Sequence, residues 1–384
     1  MKILFITPSL YIPGGVERVL TMKMNWLARH TDWDINVCLT DGMGKEPYYP
    51  LDHRIKVYNL NIGFEELWHL PFYRKVPVYL WKQRLYRKKL GALLETLRPD
   101  ITDSLLRREI NFLCSLRDGS AKVGELHVNR KNYRNFESHE TNFLKEAFSK
   151  MWMEMLLRQL KRLDRFVVLT QEDAENWPEV PHVEVIPNPV ERMASTPCHS
   201  ERKRVIAVGR YSYQKGFDLL IEAWKSVHQR HPDWTLCVFG GGDTAPYERM
   251  LKEWALTDCV QLNGPTTEIE KEFLDSSLFV LSSRFEGFPM VLIEALGYGM
   301  PIVSFSCPCG PRDCLENGVN GWLVPTGDTK ALADRICWMI EHPEERKAMG
   351  QQAYLTAQRY HLDAIMPRWV ELFKEVARHK SKEA

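Results

Sequence analysis

Two carboxylates stand eight residues apart in Phe285-Glu286-Gly287-Phe288-Pro289-Met290-Val291-Leu292-Ile293-Glu294. Two cations stand five apart in Val208-Gly209-Arg210-(x4)-Lys215-Gly216. Carboxylates accept hydrogen bonds from hydroxyls, and the first amides of a helix welcome an anion. An Arg fork and a Lys point charge in one loop could grip a diphosphate. Separately, each motif also reads as ordinary solvated charge near a helix start. Together, at the ends of strands in one α/β unit, they make a receptor suited to a nucleotide sugar.

The elements that must hold these residues are legible from periodicity. Val205 to Val208 is a strand followed by a helix from about Phe217 to His231. Leu278 to Leu281 is another, whose loop carries Glu286 and whose helix carries Glu294, expected about two turns in. The intervening pattern alternates: strand Thr235 to Phe239, helix about Tyr247 to Ala255, strand Val260 to Leu262, helix Ile269 to Ser276, and, beyond the Glu294 helix, strand Ile302 to Phe305. The first half opens with strand Lys2 to Ile6, the glycine loop Pro13-Gly14-Gly15, helix Val16 to Arg29 and strand Ile35 to Thr40. Both halves therefore read as parallel, doubly wound α/β sheets. Ile186-Pro187-Asn188-Pro189 and the polar run after it read as the connection between them. Amphipathic helices are expected over Thr329 to His342, Glu344 to Tyr360 and Leu362 to Lys380.

With those segments in view, the chain resembles the family 4 retaining glycosyltransferases, which have the GT-B fold. The resemblance is carried by Gly209-Arg210-(x4)-Lys215-Gly216-Phe217-Asp218-Leu219-Leu220 and by Glu286-Gly287-Phe288-Pro289-(x4)-Glu294-Ala295-Leu296. Lys2-Ile3-Leu4-Phe5-Ile6-(x7)-Gly14-Gly15-Val16-Glu17-Arg18, Val185-Ile186-Pro187-Asn188-Pro189 and Asn320-Gly321-Trp322-Leu323-Val324 extend it to about residue 370. Cys307-Pro308-Cys309-Gly310-Pro311-Arg312-Asp313 is similar to members that build bacterial surface polysaccharides or lipid-linked oligosaccharides.

The resemblance implies two Rossmann-like domains facing a cleft: an acceptor-binding domain over 1–187, a linker over 188–203 and a nucleotide-sugar domain over 204–362. Residues 363–384 would form a helix returning to the first domain. It implies that Glu294 binds the ribose, Glu286 a hydroxyl of the donor sugar, and Arg210 and Lys215 the leaving diphosphate. The backbone at Phe288, Pro289, Met290 and Val291 would face sugar and diphosphate, Gly14 and Gly15 would let the first loop approach, and Gly242 would border the nucleotide. His127, two residues after Glu125, would reach the donor sugar. The implied reaction transfers a hexose or N-acetylhexosamine, from UDP rather than GDP, to a saccharide acceptor expected to be lipid-linked. No metal or other cofactor is expected. A nucleotide-sugar epimerase and a non-catalytic sugar-nucleotide-binding subunit stand as rivals.

Composition fits this frame. A chain of 384 residues suffices for two cores, and its 44% hydrophobic and 26% charged content is that of an ordinary globular protein. A net charge of +1 gives no global reason to expect nucleic acid. Nine cysteines without a framework, and a short apolar stretch broken by Thr7-Pro8, suggest reduced thiols in a cytoplasm. Cys307, Cys309 and Cys314 lack the further ligands of a zinc site. Asp32-Trp33-Asp34 mimics a metal-binding Asp-x-Asp, but it precedes a strand and reads as a turn. Gly240-Gly241-Gly242-Asp243-Thr244-Ala245 fits a dinucleotide fingerprint, yet the next strand ends without the acid that would bind a ribose.

Tyr73 to Leu90 packs seven Lys/Arg with Tyr73, Tyr79, Trp81 and Tyr86. It could dock on an anionic membrane surface, or be a solvated basic helix whose aromatics face its own core; both readings stay open. Arg107-Arg108-Glu109 and Arg130-Lys131-Asn132-Tyr133-Arg134 are candidates for an anionic acceptor site.

Overall fold

The computed structural model describes every residue except 131–132, 134–142, 198–200 and 384. The chain divides into two compact units, Met1–Ile186 with Met366–Ala384, and Pro187–Ile365.

The first unit holds β1 (Lys2–Thr7), β2 (Asp34–Leu39), β3 (Lys56–Asn59), β4 (Ile101–Ser104), β5 (Ala121–Glu125), β6 (Arg165–Val168) and β7 (Val183–Val185). They pair in the order β3-β2-β1-β4-β5-β6-β7, every pairing parallel. Helices cover both faces of such a sheet, so its central strands read as unbroken apolar runs. Ile3 to Ile6 of β1 are wholly buried, and the helix Gly15–His30 follows directly.

The second unit holds β8 (Arg204–Val208), β9 (Thr235–Phe239), β10 (Val260–Asn263), β11 (Leu278–Leu281), β12 (Ile302–Phe305) and β13 (Gly321–Val324). Their order is β10-β9-β8-β11-β12-β13, again parallel throughout. The helices Phe217–Arg230 and Thr329–Glu341 share a core with these strands, including Trp224, Ile221, Leu236, Val280 and Ile336. Residues expected as a linker are bonded into this unit. Val190 donates to the Tyr360 carbonyl at 2.8 Å, and Ala194 to Gly297 at 3.0 Å.

The helix Leu362–Glu383 contributes Trp369 and Phe373 to the first unit. The Phe373 ring meets Phe5 of β1 at 6.2 Å and Trp33 at 6.3 Å, so the Asp-Trp-Asp segment is structural. Arg165 pairs with Glu375, and Arg368 donates to the Val185 carbonyl.

These aromatics also cover a buried charge. Lys23, on the helix Gly15–His30, is 2% exposed, with its ammonium 3.7 Å from the Trp369 ring centre. It pairs with Glu125 and lies 3.2 Å from Asp103, both buried. Burial and the neighbouring Glu125 push the Asp103 carboxyl well up. Burial also pushes Glu125 up, but Lys23 and His127 outweigh it and hold that carboxyl down. The Lys23 ammonium thus offsets the charge held on Glu125 inside the fold. Removing one partner of a buried pair leaves an uncompensated charge. Lys23→Met is expected to destabilise the protein by about 3–5 kcal/mol, measured by urea unfolding. Adding Glu125→Gln should recover part of that loss.

Candidate functional site

In the second unit the strand order reverses between β8 and β11, which pair directly, Val205 opposite Leu278 and Ile206 opposite Phe279. Neighbouring strands at such a point send their helices to opposite faces, leaving a crevice at their carboxyl ends. The loop after β8 carries Arg210 and Lys215, and the loop after β11 carries Glu286.

The two loops are bonded to each other. Lys215 Nζ donates to Glu286 Oε1 at 2.7 Å. Gln214 donates through Nε2 to the Phe285 carbonyl at 3.1 Å and lies 3.4 Å from Glu286 Oε2. Arg284 N donates to the Gln214 carbonyl at 2.8 Å, and Ser282 Oγ to the Lys215 carbonyl at 2.9 Å. Outside this seam, Arg284 forks onto Asp218 at 2.6 and 2.8 Å, holding the Asp218 carboxyl below its usual range against the effect of burial. Glu286 is 5% exposed, so its negative charge is held where water screens it little. Arg210 is exposed, and its guanidinium has no partner among the described residues.

Backbone geometry explains the glycines. Gly216 caps the helix Phe217–Arg230 in the left-handed region at φ 62°. A Cβ there would overlap the Ser282 carbonyl oxygen. Gly240 lies against the Gly209 carbonyl in the same way, and Gly242, at φ 123°, forms a bridge with Tyr211. The dinucleotide-like glycine run is thus the place where the loop after β9 packs, backbone to backbone, on the loop that carries Arg210. It sets Gly242 one residue from Arg210 through Tyr211.

Pro289 caps the helix Met290–Gly297, so the amides of Met290 and Val291 open its first turn. Glu294 is the fifth residue of this helix, about one turn in rather than two, because Glu286 to Phe288 stay in the loop. It is half-buried. Phe288 is buried, its ring 5.8 Å from that of Tyr360, and Gly310 fits against Pro289 where a Cβ would collide. Cys307, Cys309 and Cys314 are buried, and burial beside the Glu286 carboxylate pushes the Cys307 thiol up. Among the described residues no group of three or more His, Cys, Asp or Glu could hold a metal ion.

The first unit has its own concavity, a groove of about 740 Å³ at the carboxyl ends of β1, β2, β4 and β5. It is lined by Ser9, Tyr11, Glu17, Asp41, Arg107 and Arg108, with Trp68, Tyr79 and Trp152 on its aromatic side. Tyr11 donates to Glu65 at 2.6 Å. Arg108 is 3.8 Å from Asp41 and stacks on Phe64, and Glu109 is buried under the Ser104 hydroxyl. Arg107 alone of that trio projects from the surface. Arg130 pairs with Glu179 at 2.7 and 3.0 Å. Lys131, Asn132 and Arg134 lie outside the described residues.

Gly14 caps the helix Gly15–His30, and a Cβ on it would strike the Glu17 carboxylate, which lies over it. Gly15 is exposed. His127 is half-buried just past β5, its Nε2 3.4 Å from Glu125 Oε2, and neither ring nitrogen makes a hydrogen bond among the described residues. Sequence reasoning missed Gln214, Ser282 and Lys23. A neutral amide in a loop, a serine after a strand and a lysine in a helix carry no special signal.

Residues 191–356 match the family described as Glycosyl transferases group 1. The fold is GT-B, and the chain carries a glycosyltransferase domain. An amylovoran biosynthesis glycosyltransferase, AmsD of Erwinia amylovora, is 26% identical over 97% of the chain and 99% of its own length. Sucrose-phosphate synthase from Thermosynechococcus elongatus superposes with a TM-score of 0.79 at 17% identity, covering 98% of each chain. HepE of Anabaena in complex with UDP-glucose gives 0.71 at 19% identity, over 98% of this chain and all of that one. At such identity these structures speak for the fold, and the glycosyltransferase assignment rests on the domain and on full-length relatives.

The glycine geometry yields a paired test. Gly216→Ala should cost about 1–3 kcal/mol from backbone strain alone, plus the clash with Ser282. Gly241→Ala, with open space around it, should leave thermal unfolding nearly unchanged.

Proposed function

We propose that this glycosyltransferase is a retaining, metal-independent family 4 enzyme, moving a hexose or N-acetylhexosamine from a UDP-sugar to a saccharide acceptor. The acceptor is lipid-linked, and the pathway is surface-polysaccharide assembly. The observation that carries this reading is the meeting of the Arg210–Lys215 and Glu286–Glu294 loops at the β8/β11 crossing point. The UDP-glucose complex of HepE supports UDP as the carrier, and the role of AmsD in amylovoran synthesis supports the acceptor class.

The chemistry follows from the side chains. Cleavage of the bond from anomeric carbon to phosphate oxygen leaves growing negative charge on the diphosphate. Lys215, oriented by Glu286, and the uncommitted Arg210 stabilise that charge together with the amides of Met290 and Val291. Glu286 offers its second oxygen to a donor-sugar hydroxyl, and Glu294 receives the ribose hydroxyls. The acceptor hydroxyl attacks from the side of the departing phosphate, bonds to the anomeric carbon and passes its proton to a phosphate oxygen. No protein nucleophile takes part. His127 keeps the donor-sugar role that the resemblance implies.

NMR of the purified protein with UDP- and GDP-sugars, with and without EDTA, tests this reading. Slow release of UDP and the α-configured sugar, undiminished by EDTA, is expected. Conversion to an isomeric sugar would identify an epimerase instead, and inertness toward every donor, even with saccharide acceptors, a binding subunit. Lys215→Ala should lower kcat by about 10²–10³. Glu294→Ala should instead weaken UDP binding, by roughly tenfold or more. Unchanged turnover and affinity in both folded variants would sink the site.

A further inference from the structure

The helix Phe72–Leu97 resolves the two readings of the basic segment by splitting it between its faces. Tyr86 and Leu90 are fully buried against Phe64, and Tyr79 turns toward the groove. Lys82 also points inward, donating to the Ile62 and Gly63 carbonyls at 2.6 and 2.7 Å, and Lys89 donates to Leu60 at 2.6 Å. Two of the seven cations are therefore structural.

The opposite face is of another kind. Tyr73, Val76, Leu80 and Trp81 are exposed at 72%, 46%, 51% and 58%, and Trp68, just before the helix, at 67%. At 100° per residue, positions 73, 76, 80 and 81 fall on one side, and Arg74, Arg84, Arg87 and Lys88 share it. Those four cations have no acidic partner among the described residues, and the helix carries no Asp or Glu before Glu95. Single exposed apolar residues need no explanation, but a cluster of this size does. Aromatic and aliphatic side chains ringed by unpaired Arg and Lys match the depth profile of an anionic bilayer: rings at the headgroups, cations at the phosphates. Among the described residues no helix is long and apolar enough to cross a membrane, so attachment would be by this face.

We propose that the outer face of this helix, with Trp68, seats in the headgroup layer of an anionic bilayer and brings the first unit's groove to the lipid. Trp68 belongs both to the exposed patch and to the groove lining, and Tyr79 lines the groove from the same helix. The groove mouth then opens at headgroup depth, where the sugar of a lipid-linked acceptor would enter beside Arg107. This orientation rests on the acceptor reading above; the docking itself does not.

The test is flotation of the full chain with phosphatidylglycerol vesicles and, separately, with phosphatidylcholine vesicles. Strong binding to the first and weak binding to the second is expected. Arg84→Glu with Arg87→Glu should lower the partition coefficient on the order of a hundredfold, whereas Arg84→Lys with Arg87→Lys should keep it. Tyr73→Ser with Trp81→Ser should lower it about tenfold. UDP-sugar hydrolysis in lipid-free buffer should survive all three changes, showing that the variants are folded. Equal binding to both vesicles, no binding to either, or undiminished binding by the charge-reversed and aromatic-deleted variants overturns the proposal. If no donor is hydrolysed but flotation follows the expected pattern, the docking stands and the transfer reading falls.

Discussion

Parallel strands constrain everything else in this protein. Each must be joined to the next by a crossover, and right-handed crossovers build the sheet outward on one face until the order reverses. In the first sheet the reversal lies at β1/β4 and in the second at β8/β11. There adjacent strands send their helices to opposite faces, which leaves a crevice at their carboxyl ends. The groove of the first unit and the charged seam of the second both lie at those reversals. Chemistry-bearing residues gather where topology leaves backbone ends open.

Most of the scaffold was legible because it is buried on both faces. Runs such as Ile3 to Ile6 and Leu278 to Leu281 can hardly be anything but central strands, and their ends agree within a residue or so. The candidate residues Arg210, Lys215, Glu286 and Glu294 stood out because charge in a glycine-rich loop has few structural uses. What could not be read was who holds whom. Lys215 and Glu286 are 71 positions apart in the chain, and their hydrogen bond exists only because β8 and β11 pair. Glu294 fell a turn nearer the helix start than its spacing suggested, since the loop residues Gly287 and Phe288 are packed rather than helical.

Lysines show the same limit from the other side. Lys23, Lys82 and Lys89 look like surface charge in sequence, yet all three end against protein carbonyls, carboxylates or rings. A count of basic residues along a segment therefore overstates its field; direction decides. Likewise Trp68, Tyr73, Tyr79, Trp81 and Tyr86 divide into an inward and an outward set that periodicity predicts only once one buried position is known.

The backbone contact between Gly240 and Gly209 bears on how such a protein can diversify. A Cβ on Gly240 would overlap the Gly209 carbonyl and part the two loops, so Gly240 is closed to variation, whereas a Cβ on Gly209 would press only on the Lys215 side chain. Freedom to evolve a different sugar preference is left to side chains around the seam, such as Gln214, Phe288 and Cys307. A library meant to retune the donor would be richest there and barren at Gly216 and Gly240.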